Sequence, residues 1–181
     1  IGRVKDHRDL VLKFKGKIVG KMPSSLISNA PPARRSSERP QNLDIIQNAR
    51  TSPEQPSNLQ KVLLSMLSDP SIASKSWIYE QYDHEVGTRT VIKPGSSDAS
   101  VLRLTDNKFI SVKLDGNSKQ CYLDPYNGTL GCLSECTRNV VCTGAEPIGV
   151  IDHLQFGSPE NPHTYWSLEE SVRAIVDFCK F

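Results

Sequence analysis

The residues with the clearest chemical prospects are carboxylates placed where predicted strands begin or end. Asp152 leads them. It follows Gly144-Ala-Glu-Pro-Ile-Gly-Val-Ile151, which reads as a helix exit and then a short buried strand over 148–151. Gly144 and Pro147 stop the helix. Ile148, Val150 and Ile151 supply the β-branched run. An acid delivered to a strand end faces a ligand rather than the core, so Asp152 is the first candidate. Asp98 sits in Gly95-Ser-Ser-Asp-Ala-Ser-Val101, a Gly-Ser loop ahead of another predicted strand. Such a loop lets backbone N–H groups approach phosphate, and its acid can hold Mg²⁺. The same pattern is also that of an ordinary turn. Asp115, in Asp115-Gly-Asn117, closes the next strand, and by pattern alone it too is a turn residue. Asp124 lies among turn formers in Tyr122-Leu-Asp-Pro-Tyr-Asn-Gly128 and reads as a cap.

Other chemistries find less support. His84 and His153 have no partnering Ser or Cys in a triad arrangement. His153 also neighbours Asp152, and adjacent strand residues point to opposite faces. Neither G-x-x-x-x-G-K-[ST] nor G-x-G-x-x-G occurs, so any nucleotide would be held by a different scaffold. The five cysteines, Cys121, Cys132, Cys136, Cys142 and Cys179, are odd in number and unpatterned. They read as reduced, buried thiols of a cytoplasmic protein. Cys132 and Cys136 have a knuckle-like spacing, but they fall on a predicted helix beside Leu130, Leu133 and Val140, which favours packing over zinc. A net charge of +2 gives no electrostatic case for nucleic acid. No apolar run approaches the roughly 20 residues of a membrane span.

These candidates depend on the elements that position them. Residues 1–30 alternate like strands, with Val11–Phe14 and Lys17–Val19 flanking the turn Lys15-Gly16. Residues 31–56, with Pro31, Pro32, Pro40, Pro53 and Pro56, read as a linker. Order resumes at the capping box Ser57-x-x-Gln60, followed by Leu59, Val62, Leu63, Met66 and Leu67 at helical spacing. Asp69-Pro70 ends that helix. A short helix over Ser74–Gln81 turns Trp77 and Ile78 inward, and a loop follows to Thr88. Strands are expected over Arg89–Ile92, Ser100–Leu104 and Phe109–Leu114, the last two joined by Thr105-Asp-Asn-Lys108. Asn127-Gly128 signals a turn. A helix over Leu130–Cys142 buries Leu130, Leu133, Val140 and Val141. After the loop Gly157–Pro162, the capping box Ser167-x-x-Glu170 opens a last helix with Leu168, Val172, Ile175 and Cys179 on one face. That helix runs to Phe181 without a Gly stop, and Ile1 opens on a strand-like pattern, so a piece of a longer chain is expected. The mixed order argues for an α+β fold, a mixed or antiparallel sheet with helices on one face.

The motifs align in order with one family. Ser71-Ile-Ala-Ser-Lys-Ser-Trp-Ile-Tyr-Glu-Gln-Tyr-Asp-His84, Thr90-Val-Ile-Lys-Pro-Gly95 and Asp98-Ala-x-Val101 come first. Tyr122-Leu-Asp-Pro-Tyr126, Arg138-Asn-Val-Val-Cys-x-Gly-Ala-Glu-Pro147 and Asp152-x-Leu-x-Phe-Gly-x-Pro-Glu-x-Pro162 follow. Together they closely resemble the synthetase subunit of phosphoribosylformylglycinamidine synthase, the PurL family, over about residues 60–181. Gly2-Arg-Val4 and the first hairpin resemble the end of that family's first half.

The resemblance implies two tandem halves, each with an N-domain and a C-domain related to aminoimidazole ribonucleotide (AIR) synthetase. Residues 1–30 would then close a C-domain, 31–56 link the halves, and 57–181 form the AIR synthetase-like N-domain of the second half. The catalytic His and much of the Mg²⁺ and substrate site would lie on a first N-domain not included, and a Gly-Asn-Val-Ser element completing the ATP site would follow Phe181. The implied reaction converts formylglycinamide ribonucleotide to formylglycinamidine ribonucleotide, using ATP, Mg²⁺ and glutamine-derived ammonia. The implied partners are a glutaminase subunit, a small accessory subunit and the first N-domain. Asp152 matches the family's ATP contact; Asp98 and Asp115 match positions that touch nucleotide or metal in related domains. Two departures stand out. Gln155-Phe-Gly-Ser158-Pro replaces the usual Asn-Phe-Gly-Asn-Pro, and Val112-Lys-Leu-Asp-Gly-Asn117 replaces Thr-Thr-Asp-Cys-Asn. Two alternatives remain: another ATP-binding protein of the superfamily, of the kinase or selenophosphate synthetase type, or a non-catalytic pairing domain that forms a homodimer.

Overall fold

The computed structural model describes residues 2–29, 32–49, 52 and 54–180. Ile1, Pro31, Pro53 and Phe181, cited above, lie outside the described residues. The chain divides into two compact units, residues 1–35 and 36–181.

In the first unit, β1 (Asp9–Phe14) and β2 (Lys17–Pro23) form the expected antiparallel hairpin, pairing Asp9 with Pro23 and Phe14 with Lys17. Lys15 and Gly16 turn the chain with φ of 49° and 79°, the left-handed pair that a two-residue I′ connection requires. Lys21 bridges to Asp9 across the ribbon at 2.9 Å. A single helical turn, α1 (Ser25–Ser28), follows.

The second unit begins with a departure. The stretch expected to be irregular contains α2 (Leu43–Asn48), whose Leu43 is only 4% exposed. Burying one such side chain is worth about 1.5–3 kcal/mol, enough to hold a short helix onto a neighbour. The next helix, α3 (Leu59–Ser68), forms as its periodicity predicts. Its cap is Asn58, whose Oδ1 accepts from Lys61 N at 2.9 Å, rather than Ser57. Leu59, Leu63 and Leu67 stay exposed. The following α4 (Ser76–Tyr79) is a single turn, too short to present a packed face, and Trp77 is 68% exposed rather than inward.

Three antiparallel strands come next in the order β3 (Thr90–Ile92), β4 (Ser100–Thr105), β5 (Lys108–Val112). Thr90 pairs with Leu102, Ser100 with Val112, and Thr105 with Lys108 across the predicted Asp106-Asn107 turn.

Two long helices supply the best-buried packing. A short α5 (Ser118–Leu123), capped by Asn117, precedes α6 (Pro125–Val141). Asp124 is at once the last cap of α5 and the first cap of α6, its Oδ1 accepting from Asn127 N at 2.9 Å. Pro125 opens α6 at the position where a missing N–H costs nothing. Asn127-Gly128 is therefore no turn. It lies in the first turns of α6, and a Cβ on Gly128 would stand 2.6 Å from Cys121 N. The glycine is there for close approach of backbones, not for chain reversal.

The last helix, α7 (Pro162–Phe178), starts five residues ahead of Ser167. Its cap is Asn161, whose Oδ1 accepts from His163 N at 2.9 Å and Thr164 N at 3.2 Å. Ser171 (2% exposed) and Ala174 (0%) face α6. Small residues set the contact, so the larger Val172 and Cys179, expected on the packed face, stay exposed. Ser171 Oγ donates to Pro125 O at 3.4 Å, and Tyr126 O–H donates to Asp177 Oδ2 at 3.1 Å. Arg173 lies over the Tyr126 ring at 4.1 Å. On its other side α6 meets the sheet end: Cys136 Sγ donates to Lys113 O at 3.3 Å and Thr143 Oγ1 lies 2.9 Å from Ser111 Oγ. Leu130, Leu133 and Val140 are half-buried, as expected, whereas Val141 is exposed. The architecture is the expected α+β.

Candidate functional site

The helix exit before Asp152 is as expected: α6 stops at Val141 and Gly144 takes φ +81°. The strand does not follow. Residues 145–157 have no strand pairing, and Ile148 and Ile151 are 91% and 99% exposed. A β-branched run becomes a strand only beside another edge, and among the described residues none pairs with it. Asp152 is accordingly an exposed acid on an extended arm, not a carboxylate at a strand end. The adjacent His153 accepts from Gln155 Nε2 at 2.8 Å.

The arm then enters a groove of about 450 Å³. Gln155, Phe156 and Gly157 form one wall, the α2 region with Leu43 and Ile46 another, and Cys121 and Tyr122 of α5 a third. The first turn of α7, with His163 and Thr164, closes the end. The α2 wall is held by several contacts. Gln47 Nε2 donates to Leu123 O at 2.8 Å, Glu38 N to Pro162 O at 3.2 Å, and His163 Nδ1 to Glu38 O at 3.0 Å. Arg39 pairs with Asp44 at 2.7 Å and lies 5.8 Å from the Trp166 ring. The Arg39 hydrogen bond and charge hold the Asp44 carboxyl below the usual range. Sequence reasoning missed this wall. Its signal was Leu43, Ile45 and Ile46, an apolar cluster behind Asn42 inside an otherwise polar stretch.

The other acids lie elsewhere. Asp98 precedes β4 and Asp115 follows β5; because Ser100 pairs with Val112, both leave the same end of that hairpin. Asp98 is exposed. Asp115 accepts from Gly116 N at 3.0 Å and from Asn139 Nδ2 at 3.4 Å, which ties the loop to α6. Among the described residues no three His, Cys, Asp or Glu side chains stand close enough to hold one metal ion. Burial pushes the Cys132 and Cys136 thiols up, as expected of packing cysteines, whereas Cys142 and Cys179 are exposed rather than buried. No helix among the described residues is long and apolar enough to cross a membrane.

Residues 96–181 match the family described as AIR synthase related protein, N-terminal domain. The phosphoribosylformylglycinamidine synthase subunit PurL of Methanocaldococcus jannaschii is 39% identical over all of this chain, and that of Alkaliphilus metalliredigens is 44% identical over 99% of it. Over essentially its whole length the chain is similar to PurL subunits, and residues 96–181 carry the AIR synthase related N-terminal domain. The chain spans about a quarter of the length of either relative. The fold is similar to that of T. maritima PurL complexed with AMPPCP, with a TM-score of 0.63 at 23% identity, covering 96% of this chain and 26% of that one. That likeness supports the expected fold.

Proposed function

We propose that this chain contributes one wall of the nucleotide site in an ATP-dependent ligase that makes formylglycinamidine ribonucleotide during purine biosynthesis. The observation that carries the proposal is the course of Asp152-x-Leu-x-Phe-Gly157. This segment matches the family's ATP-contact motif, leaves Asp152 exposed, and places its Phe156 and Gly157 in a groove wall. An accessible carboxylate beside such a wall can accept hydrogen bonds from a ribose or base. The AMPPCP in the T. maritima relative is consistent with ATP as ligand.

The reaction transfers the γ-phosphoryl group of ATP to the amide oxygen of formylglycinamide ribonucleotide. Ammonia then attacks the amide carbon, and phosphate leaves with the oxygen. Such chemistry rests on positioning and charge neutralisation and on shielding from water. No single carboxylate performs it. In this proposal Asp152 orients nucleotide, and Asp98 and Asp115, at one end of the β4–β5 hairpin, are the weaker nucleotide or metal candidates. Any Mg²⁺ ligation is completed by groups outside the described residues. The domain scheme, with 1–30 closing a C-domain, 31–56 linking and 57–181 forming the second N-domain, belongs to the same proposal. So do the glutaminase and small accessory subunits as partners, and a cytoplasmic location.

In the full-length enzyme, Asp152→Ala is expected to weaken ATP affinity by about tenfold, the worth of one charge-assisted hydrogen bond. Unchanged affinity by calorimetry removes Asp152 from the site. The 181-residue chain alone is expected to show no ATP-dependent turnover, and robust activity overturns the proposal. A second reading, a pairing domain, draws on the exposed Leu104, Phe109, Ile110 and Val112 of β4 and β5. Light scattering that finds only monomer sinks it.

A further inference from the structure

We propose that Cys121 and Cys132 are a dithiol that closes to a disulfide across the α5–α6 corner. The placement comes from packing. Cys121 Sγ lies 4.0 Å from Thr129 Oγ1, so its side chain points at the face of α6 that carries Thr129. At the same level, a Cβ on Gly128 would stand 2.6 Å from Cys121 N and 2.7 Å from Cys121 Cα. The two backbones touch there. A Cβ on Gly131 would lie 3.5 Å from Gln120 Oε1, which extends the contact one turn. Cys132 is three residues beyond Thr129 and four beyond Gly128, so it projects from the same face of α6 toward α5. The separation of such touching helices suits the Cα spacing of about 4.4–6.8 Å that a disulfide spans.

The electrostatics agree with this placement. Burial pushes the Cys132 thiol up, the neighbouring Cys121 pushes it further, and a backbone hydrogen bond at Asn117 opposes both. Asn117 and Cys121 are four apart, on one face of α5, and Cys132 faces both. Both thiols are free, as are the other three. Cys136 is engaged elsewhere, donating to Lys113 O, and Cys142 and Cys179 are exposed. Cys121 lines the groove, which gives a small oxidant access to it.

The oxidant is a low-molecular-weight disulfide such as oxidised glutathione. The Cys121 thiolate attacks one of its sulfurs, breaks its S–S bond and releases one thiolate, which takes up the displaced proton. The Cys132 thiolate then attacks the Cys121 sulfur of the mixed disulfide and releases the second thiolate, which takes up the second proton. The cysteine pair loses two electrons and the reagent gains them. The resulting bond staples the α5 wall of the groove to α6.

The test uses the 181-residue chain, incubated with oxidised glutathione at about pH 8.5, near the ordinary thiol value. It is then alkylated under denaturing, non-reducing conditions and mapped by peptide mass spectrometry. The expected result is loss of alkylation at Cys121 and Cys132 together, with one cross-linked peptide pair that dithiothreitol releases. Cys132→Ser should instead trap Cys121 as a stable mixed disulfide with glutathione. Complete alkylation of both cysteines, cross-linking through Cys142 or Cys179 instead, or equally fast closure in urea each overturns the proposal.

Discussion

The α6–α7 pair and the arm over 145–157 have similar apolar content but opposite fates. In the pair, Ser171 and Ala174 are sealed between helices that each close their own backbone hydrogen bonds. In the arm, Ile148 and Ile151 stand in solvent. A helix satisfies its peptide groups within one segment. A strand needs a neighbour, so the same β-branched sequence stays extended and open until an edge reaches it. The contrast also separates where stability resides from where Asp152 resides.

Hydrogen exchange should give the largest measurable difference. Central amides of α6 and α7 are expected to exchange at least about a thousandfold more slowly than those of 146–154, the factor set by roughly 4 kcal/mol of opening free energy. Comparable rates in the two regions would break the comparison. Next in size are two substitutions that overfill the helical side. Ala174→Leu and Gly128→Ala should each cost about 1–3 kcal/mol in denaturant unfolding. Ile151→Ser should stay within about 0.5 kcal/mol. If it costs as much as Ala174→Leu, the arm is packed in solution. Replacing the α7 cap, Asn161→Ala, is expected to lose about 1 kcal/mol, read as a lower Tm.

The smallest effect concerns acid. Lys180 and then Tyr126 hold the Asp177 carboxyl below its usual range. A carboxyl depressed in the folded state stabilises fully above its unfolded value of about 4 and loses that contribution as pH falls through the lower folded value. Asp177→Asn should flatten this part of the acid-denaturation curve, and an unaltered curve would show that the contact contributes nothing.

The sequence made the local structure readable and left the tertiary choices hidden. The Lys15-Gly16 hairpin, the three strands and the α3 periodicity were legible because each is decided within a few residues. Asp124 was legible as a cap, but the caps of α3 and α7 were not. Ser57 and Asn58 are both competent, and Ser167 and Asn161 both precede apolar periodicity, so the choice falls to packing of the first turn. Asn127-Gly128 misled because the same glycine serves a tight turn or a tight helix contact, and only the nearby Cys121 backbone distinguishes them. The site was half legible. Phe156 and Gly157 reach a groove, but its opposite wall came from Leu43 and Ile46, which belong to a stretch whose prolines suggest a tether. Asp152, chosen by residue type, was expected at a strand end and lies instead on an unpaired arm, since nothing in the residues before it tells whether a pairing edge exists.

Asp124 ends one helix and begins the next, with no residue to spare between them. The joint therefore works as a rigid elbow. A connecting loop would absorb a shift of Tyr122 as slack; here the backbone passes straight into the seventeen-residue α6. The other end of that helix meets the sheet through Cys136, and through Thr143 just past it, so groove wall and sheet hang on one rod.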